Sequence, residues 1–89
     1  MIVAILSQMK TIVFTSTAAK QFDALPQRAR NAIGAALDRY AMEGRGDVKR
    51  LQVREGFRMR VGEYRVLFNE DPTTILAVYF GRRQTTTYS

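Results

Sequence analysis

Cysteine and histidine are both absent from the 89 residues. The chain therefore has no disulfide framework, no thiol nucleophile, no zinc site of the usual nitrogen and sulfur type, and no imidazole base. Any catalysis falls to Arg, Lys, Tyr, Asp or Glu. Long hydrophobic runs are missing too. The opening MIVAILSQ is apolar but short, without the basic leading region or cleavage site of a secretory signal, and far below a membrane span. These features read as a cytoplasmic protein that does not enter a membrane. Met9 opens a cleaner strand, so residues 1–8 read as a poorly ordered extension from an upstream start codon, or else as a lengthening of the first strand. No repeat, linker or low-complexity segment divides the rest, and residues 1–89 read as one domain.

Acidic residues are also scarce. Eight stand against 14 basic residues, for a net charge of +6, and 11 of the 14 are arginine. Arginine grips phosphate through a planar fork of donors where lysine acts as a point charge, so the bias favours phosphate recognition. A small basic domain points first to nucleic acid. It leaves no room for a separate cofactor domain, and no cofactor or metal is expected.

Lys10 to Phe14 is β-branched and apolar and predicts a first strand. Thr15 or Ser16 caps a short helix carrying Ala19, Phe22 and Leu25 on one side, ending before Pro26. Pro26 suits the first turn of a second helix, where Ala29, Ala32, Ile33, Ala36, Leu37 and Tyr40 form one apolar stripe. Gly44-Arg45-Gly46-Asp47 ends it, and Val48 to Val53 predicts a short strand with Lys49 and Arg50. Asp71-Pro72 predicts a turn, and Thr74 to Phe80, apolar on both faces, a central strand. This order predicts an α+β fold, β-α-α-β-β-β, with the two N-terminal helices packed on one face of a small twisted antiparallel sheet.

The densest signal is Phe57 to Phe68, FRMRVGEYRVLF. Phe57, Met59, Val61, Tyr64, Val66 and Phe68 alternate with Arg58, Arg60, Arg65 and Leu67, so period-two geometry sends the apolar set to one side and the arginines to the other. With Gly62-Glu63 as a Gly-first two-residue turn, Val61 pairs with Tyr64 and Arg60 lies across from Arg65. Like charges facing across strands are destabilising, which points to an anionic partner. Residues 44–68 hold seven basic residues (Arg45, Lys49, Arg50, Arg54, Arg58, Arg60, Arg65) against Asp47, Glu55 and Glu63, and the last strand brings Arg82, Arg83 and Tyr88 toward the same edge.

The pattern from Met9 to Tyr88, with KTIVFT, a helical pair, VKRL, the FRMRVGEYRVLF hairpin and a final AVYFGRR ahead of Tyr88, resembles the RelE/ParE superfamily of toxins from bacterial type II toxin–antitoxin systems. The resemblance covers nearly the whole chain, and it implies a RelE-like fold. It implies a catalytic set of two basic residues before the hairpin turn, an arginine after it, an arginine following the last strand and a tyrosine near the C-terminus. Arg58, Arg60, Arg65, Arg83 and Tyr88 occupy those positions, which favours the RelE-like branch, whose members cleave mRNA in the ribosomal A site. Arg50, Arg54 and Arg82 are expected to add RNA contacts. The alternative it allows is a ParE-like, non-catalytic inhibitor of DNA gyrase. Either toxin implies a cognate antitoxin that wraps the basic face with a helix or an added strand, a heterotetramer with it being one assembly.

RNA carries its own nucleophile, the 2′-hydroxyl, so such an enzyme needs only to align it, stabilise the added negative charge and manage two protons. No metal is required. Tyr88 would stack on a base or donate a hydrogen bond. The chain departs from the best-known members in having Arg58 and Arg60 where they have lysines, and arginine cannot serve as a base. Lys49, Glu55, Glu63 and Tyr88 are the remaining candidates. Lys49 is preferred as the only lysine in the basic region, where neighbouring cations favour a neutral amine.

Overall fold

The polarity pattern of the strands decides how the chain layers. The protein, a computed structural model describing residues 9–83 apart from Val53, runs β1 (Thr11–Phe14), α1 (Ser16–Asp23), α2 (Gln27–Glu43), β2 (Val48–Arg50), β3 (Phe57–Val61), β4 (Tyr64–Glu70) and β5 (Thr74–Arg82). All five strands join one sheet in the order β1-β5-β4-β3-β2. β2 to β5 form an antiparallel meander, as expected, while β1 pairs with β5 in parallel, Thr11 with Thr74 through Phe14 with Ala77. The sheet is therefore mixed rather than antiparallel. Only strands joined by a hairpin are forced to run in opposite directions. β1 and β5 are separated by both helices and three strands, so nothing local fixes their sense. Four strands follow the helices, β2 being cut to three residues where the chain leaves the sheet at Leu51.

The Thr15 hydroxyl oxygen accepts from the Ala18 amide at 3.1 Å and caps α1. Ala18, rather than Ala19, is the residue α1 buries completely. The other end is closed from α2, where the Arg30 guanidinium donates to the carbonyls of Asp23 and Leu25. α2 buries Ala29, Ile33, Leu37 and Ala41 along a one-sided stripe and leaves Ala32 exposed. It ends at Gly44, whose φ of 72° suits glycine.

Both helices cover one face of the sheet, burying Met59, Val66, Phe68, Ile75, Ala77 and Phe80 against Ile33 and Leu37. Each large apolar side chain withdrawn here contributes roughly 1.5–3 kcal/mol. Phe14, Phe22 and Phe80 meet at centroid distances of 4.9–5.2 Å, tying β1, α1 and β5 together. β5 lies between β1 and β4, as its two-sided apolarity predicts. It carries a bulge: Tyr79 pairs with Leu67 and Ala77 with Phe68, so Val78 has no partner. Beyond Phe14, β1 no longer covers the β5 edge, and there Gln21 Oε1 accepts from the Phe80 amide at 2.9 Å.

Two polar clusters brace the far end. Asp71 Oδ1 accepts from the amides of Thr73 and Thr74 at 2.9 and 2.8 Å, and these bonds hold its carboxyl below the usual range. Tyr40 donates to Glu70 at 3.1 Å, and Lys10 Nζ stands 3.3 Å from the other oxygen of that carboxylate. Burial, then the bond to Glu70, pushes the Tyr40 phenol up to about 12.

Candidate functional site

The hairpin adopts the expected register. Val61 pairs with Tyr64, and Arg60 faces Arg65. Gly62 has φ 58° while no described non-glycine residue has positive φ, the signature of a Gly-first type II′ turn. A side chain at Gly62 would meet nothing within 4 Å, so glycine is required there by the backbone alone.

The six apolar hairpin residues belong to the core or pack against it. Alternation then places Arg58, Arg60, Arg65 and Leu67 on the opposite face, which no described helix covers. Lys49 pairs with Arg58 and joins that face from β2. Arg83 continues the parity of Tyr79 and Gly81, and its guanidinium donates to the Gly62 carbonyl at 2.9 Å while its amide donates to the Glu63 carbonyl at 2.7 Å. The arrangement thus collects Lys49, Arg58, Arg60, Arg65 and Arg83 on one open surface. Among the described residues none of these five forms an ion pair, although ion pairs occur elsewhere. The buried Arg65 Nε has no hydrogen-bond partner among the described residues. Such a row can bind and polarise an anion.

Three further arginines separate by the same geometry. Arg54 lies beside the row, lining a depression of about 260 Å³ with Leu51, Glu55, Leu67, Asn69 and Val78. Leu51, Arg54 and Glu55 wall it, and a 2.9 Å bond runs from the Leu51 amide to the Gly56 carbonyl. Arg50 pairs with Phe57 and lies over its ring at 5.3 Å, on the helix side of the sheet. Arg82 pairs with Tyr64, lies over that ring at 5.6 Å and bonds Glu63 at 2.5 Å, also on the helix side. Arg50 and Arg82 therefore stand apart from the row that Arg54 adjoins. Glu63 is engaged at the turn by Arg82, and Glu55 is at the depression. Tyr88 and residues 1–8 lie outside the described residues.

One residue of the open face escaped the sequence reading. Tyr79 pairs with Leu67 and runs along β5 over Gly81, the partner of Arg65. The signal was available in the spacing of Tyr79 and Gly81, which share a face two residues apart.

No family model matches the chain, and no curated protein sequence matches it. Solved structures do. A chain of the RelBE2 toxin–antitoxin complex from Mycobacterium tuberculosis aligns over 84% of this chain and 92% of its own length, with 29% identity and a TM-score of 0.73. This chain is RelE-like. The archaeal RelE–RelB complex from Pyrococcus horikoshii gives 20% identity, a TM-score of 0.72 and coverage of 88% and 99%, and the RelB–RelE complex from Methanococcus jannaschii 20%, 0.67, and 79% and 88%. These two share the fold. In the RelE-like chain that fold leaves the arginine face of the sheet uncovered by either helix.

Proposed function

We propose that this RelE-like chain is the toxin of a type II toxin–antitoxin system and an endoribonuclease that cuts mRNA on the ribosome. The observation that carries the reading is the open row of Lys49, Arg58, Arg60, Arg65 and Arg83, free of ion pairs among the described residues. The RNA 2′-oxygen gives up its proton and attacks the adjacent phosphorus. The bond to the 5′-oxygen of the next nucleotide breaks, and that oxygen takes up a proton, leaving a 2′,3′-cyclic phosphate. Arg58, Arg60, Arg65 and Arg83 would stabilise the charge that builds on the phosphate. Lys49, paired with Arg58, is the base candidate that lies in the sheet beside them, and Tyr88 is assigned a stacking or donor role.

The similar solved chains come from RelB–RelE complexes, which supports an antitoxin partner here. Among the described strands, β1 and β2 form the sheet edges and can each accept an added strand. Acidic segments of the antitoxin would cover the basic face. A toxin that cuts mRNA on the ribosome would act in the cytoplasm.

The test is to add the purified chain to translating ribosomes. Cleaved mRNA with cyclic phosphate ends is expected, and Arg65→Ala or Arg83→Ala should lower cleavage about 100-fold while circular dichroism and Tm hold. Intact mRNA with a chain of demonstrated toxicity would reject the reading, and double-strand DNA breaks in its place would support a ParE-like gyrase inhibitor.

A further inference from the structure

We propose that Tyr79 is a stacking platform for an unpaired nucleobase of the RNA whose phosphate the arginine row holds. The proposal rests on the RNA-cleaving reading and adds to it a base-binding residue.

Its first support is the way the tyrosine is seated. A Cβ built on Gly81 would lie 2.1 Å from the Tyr79 hydroxyl oxygen and 2.6 Å from its ζ carbon. No side chain can occupy position 81 while the ring stays where it is. Gly81 does not have positive φ, so glycine there provides space rather than a special backbone. This is the reverse of Gly62, where the backbone demands glycine and space is free. The ring is half-buried, resting on the strand and still reachable from solvent.

Its second support is what surrounds the ring. Gly81 is the direct partner of Arg65, and paired positions have Cβ atoms about 5 Å apart, so the hydroxyl end of Tyr79 lies beside the Arg65 stem. Arg65 carries the buried Nε without a partner among the described residues. Across the strand Tyr79 pairs with Leu67, which floors the 260 Å³ depression next to Arg54. An aromatic ring flanked by phosphate-binding arginines and an apolar floor matches the chemistry by which proteins take single-stranded RNA, with the base stacked and the phosphate paired. A purely structural tyrosine would have no need of the open face, since the core lies on the other side.

The chain contains no tryptophan, so Tyr79→Trp in the full chain creates a single fluorescent reporter at the site. The probes are a single-stranded oligoribonucleotide with 2′-O-methyl groups, which cannot be cut, and inorganic polyphosphate, which has charge but no bases. The oligonucleotide should quench the indole emission of the Tyr79→Trp chain, and polyphosphate should not. Tyr79→Phe should bind the oligonucleotide like the unaltered chain, and Tyr79→Ala should bind it on the order of 10-fold more weakly with polyphosphate binding unchanged. Gly81→Ala, which displaces the ring, should behave like Tyr79→Ala. Oligonucleotide binding seen by anisotropy without quenching, or a Tyr79→Ala loss shared equally by polyphosphate, would overturn the proposal while leaving the RNA-binding reading standing. Failure of the unaltered chain to bind the oligonucleotide would overturn the stacking proposal as well, while the RNA-cleaving reading is decided by cleavage on translating ribosomes. If Tyr79→Ala does not fold, the quenching contrast in Tyr79→Trp decides alone.

Discussion

Arg60 and Arg65 face each other across β3 and β4 without an ion-pair partner among the described residues, and opposed like charges on a sheet weaken it by a few tenths of a kcal/mol. Arg60→Thr removes the repulsion and adds β propensity. It should raise stability by about 0.5 kcal/mol in urea unfolding and lower mRNA cleavage, a trade expected of a site whose charge serves a ligand. Tyr40 gives a prediction in pH. Its phenol titrates near 12 in the folded chain against 10.0 unfolded, because it is buried and donates to Glu70. A raised pKa contributes stability that is fully present below about pH 10 and lost as pH climbs from there toward about 12. Tyr40→Phe should therefore cost about 1–2 kcal/mol at about pH 8, and the gap to the unaltered chain should shrink or close by about pH 11.

Elements were legible in the sequence wherever a period was clean. The FRMRVGEYRVLF alternation and its Gly-first turn specify the hairpin, its register and its arginine face, because a one-residue slip would send Met59 and Val66 to solvent. The α2 stripe is equally plain. The adjacent pairs Lys49-Arg50 and Arg82-Arg83 gathered too easily into one cluster, for neighbours on a strand must point to opposite faces. Tyr79 was hidden by the apolar run around it, and the bulge at Val78 has no local sequence mark. Neither has the bond from the Phe80 amide to Gln21, which joins residues far apart in the chain. Gln21→Leu leaves that amide unpaired and should lower stability by about 1–3 kcal/mol in urea unfolding, with the arginine face and cleavage by the remaining folded protein unchanged.

At the scale of the whole molecule, the fold separates two tasks across one sheet. The helix side holds the aromatic and aliphatic core, and the other side holds five cations that form no ion pair among the described residues, so positive charge is concentrated where a polyanion would dock. The parallel pairing of β1 could not be read from the sequence, since it depends on the placement of two strands at opposite ends of the chain.

That placement has a consequence for synthesis. β5 is the last of the described strands in chain order, yet it sits between β1 and β4 and brings Tyr79 with it, leading directly into Arg83. Until β5 leaves the ribosome, β1 has no strand beside it and the arginine row lacks one of its members. Under the proposed reading, the surface that would bind messenger RNA is complete only once β5, the last of the described strands in chain order, has joined the sheet.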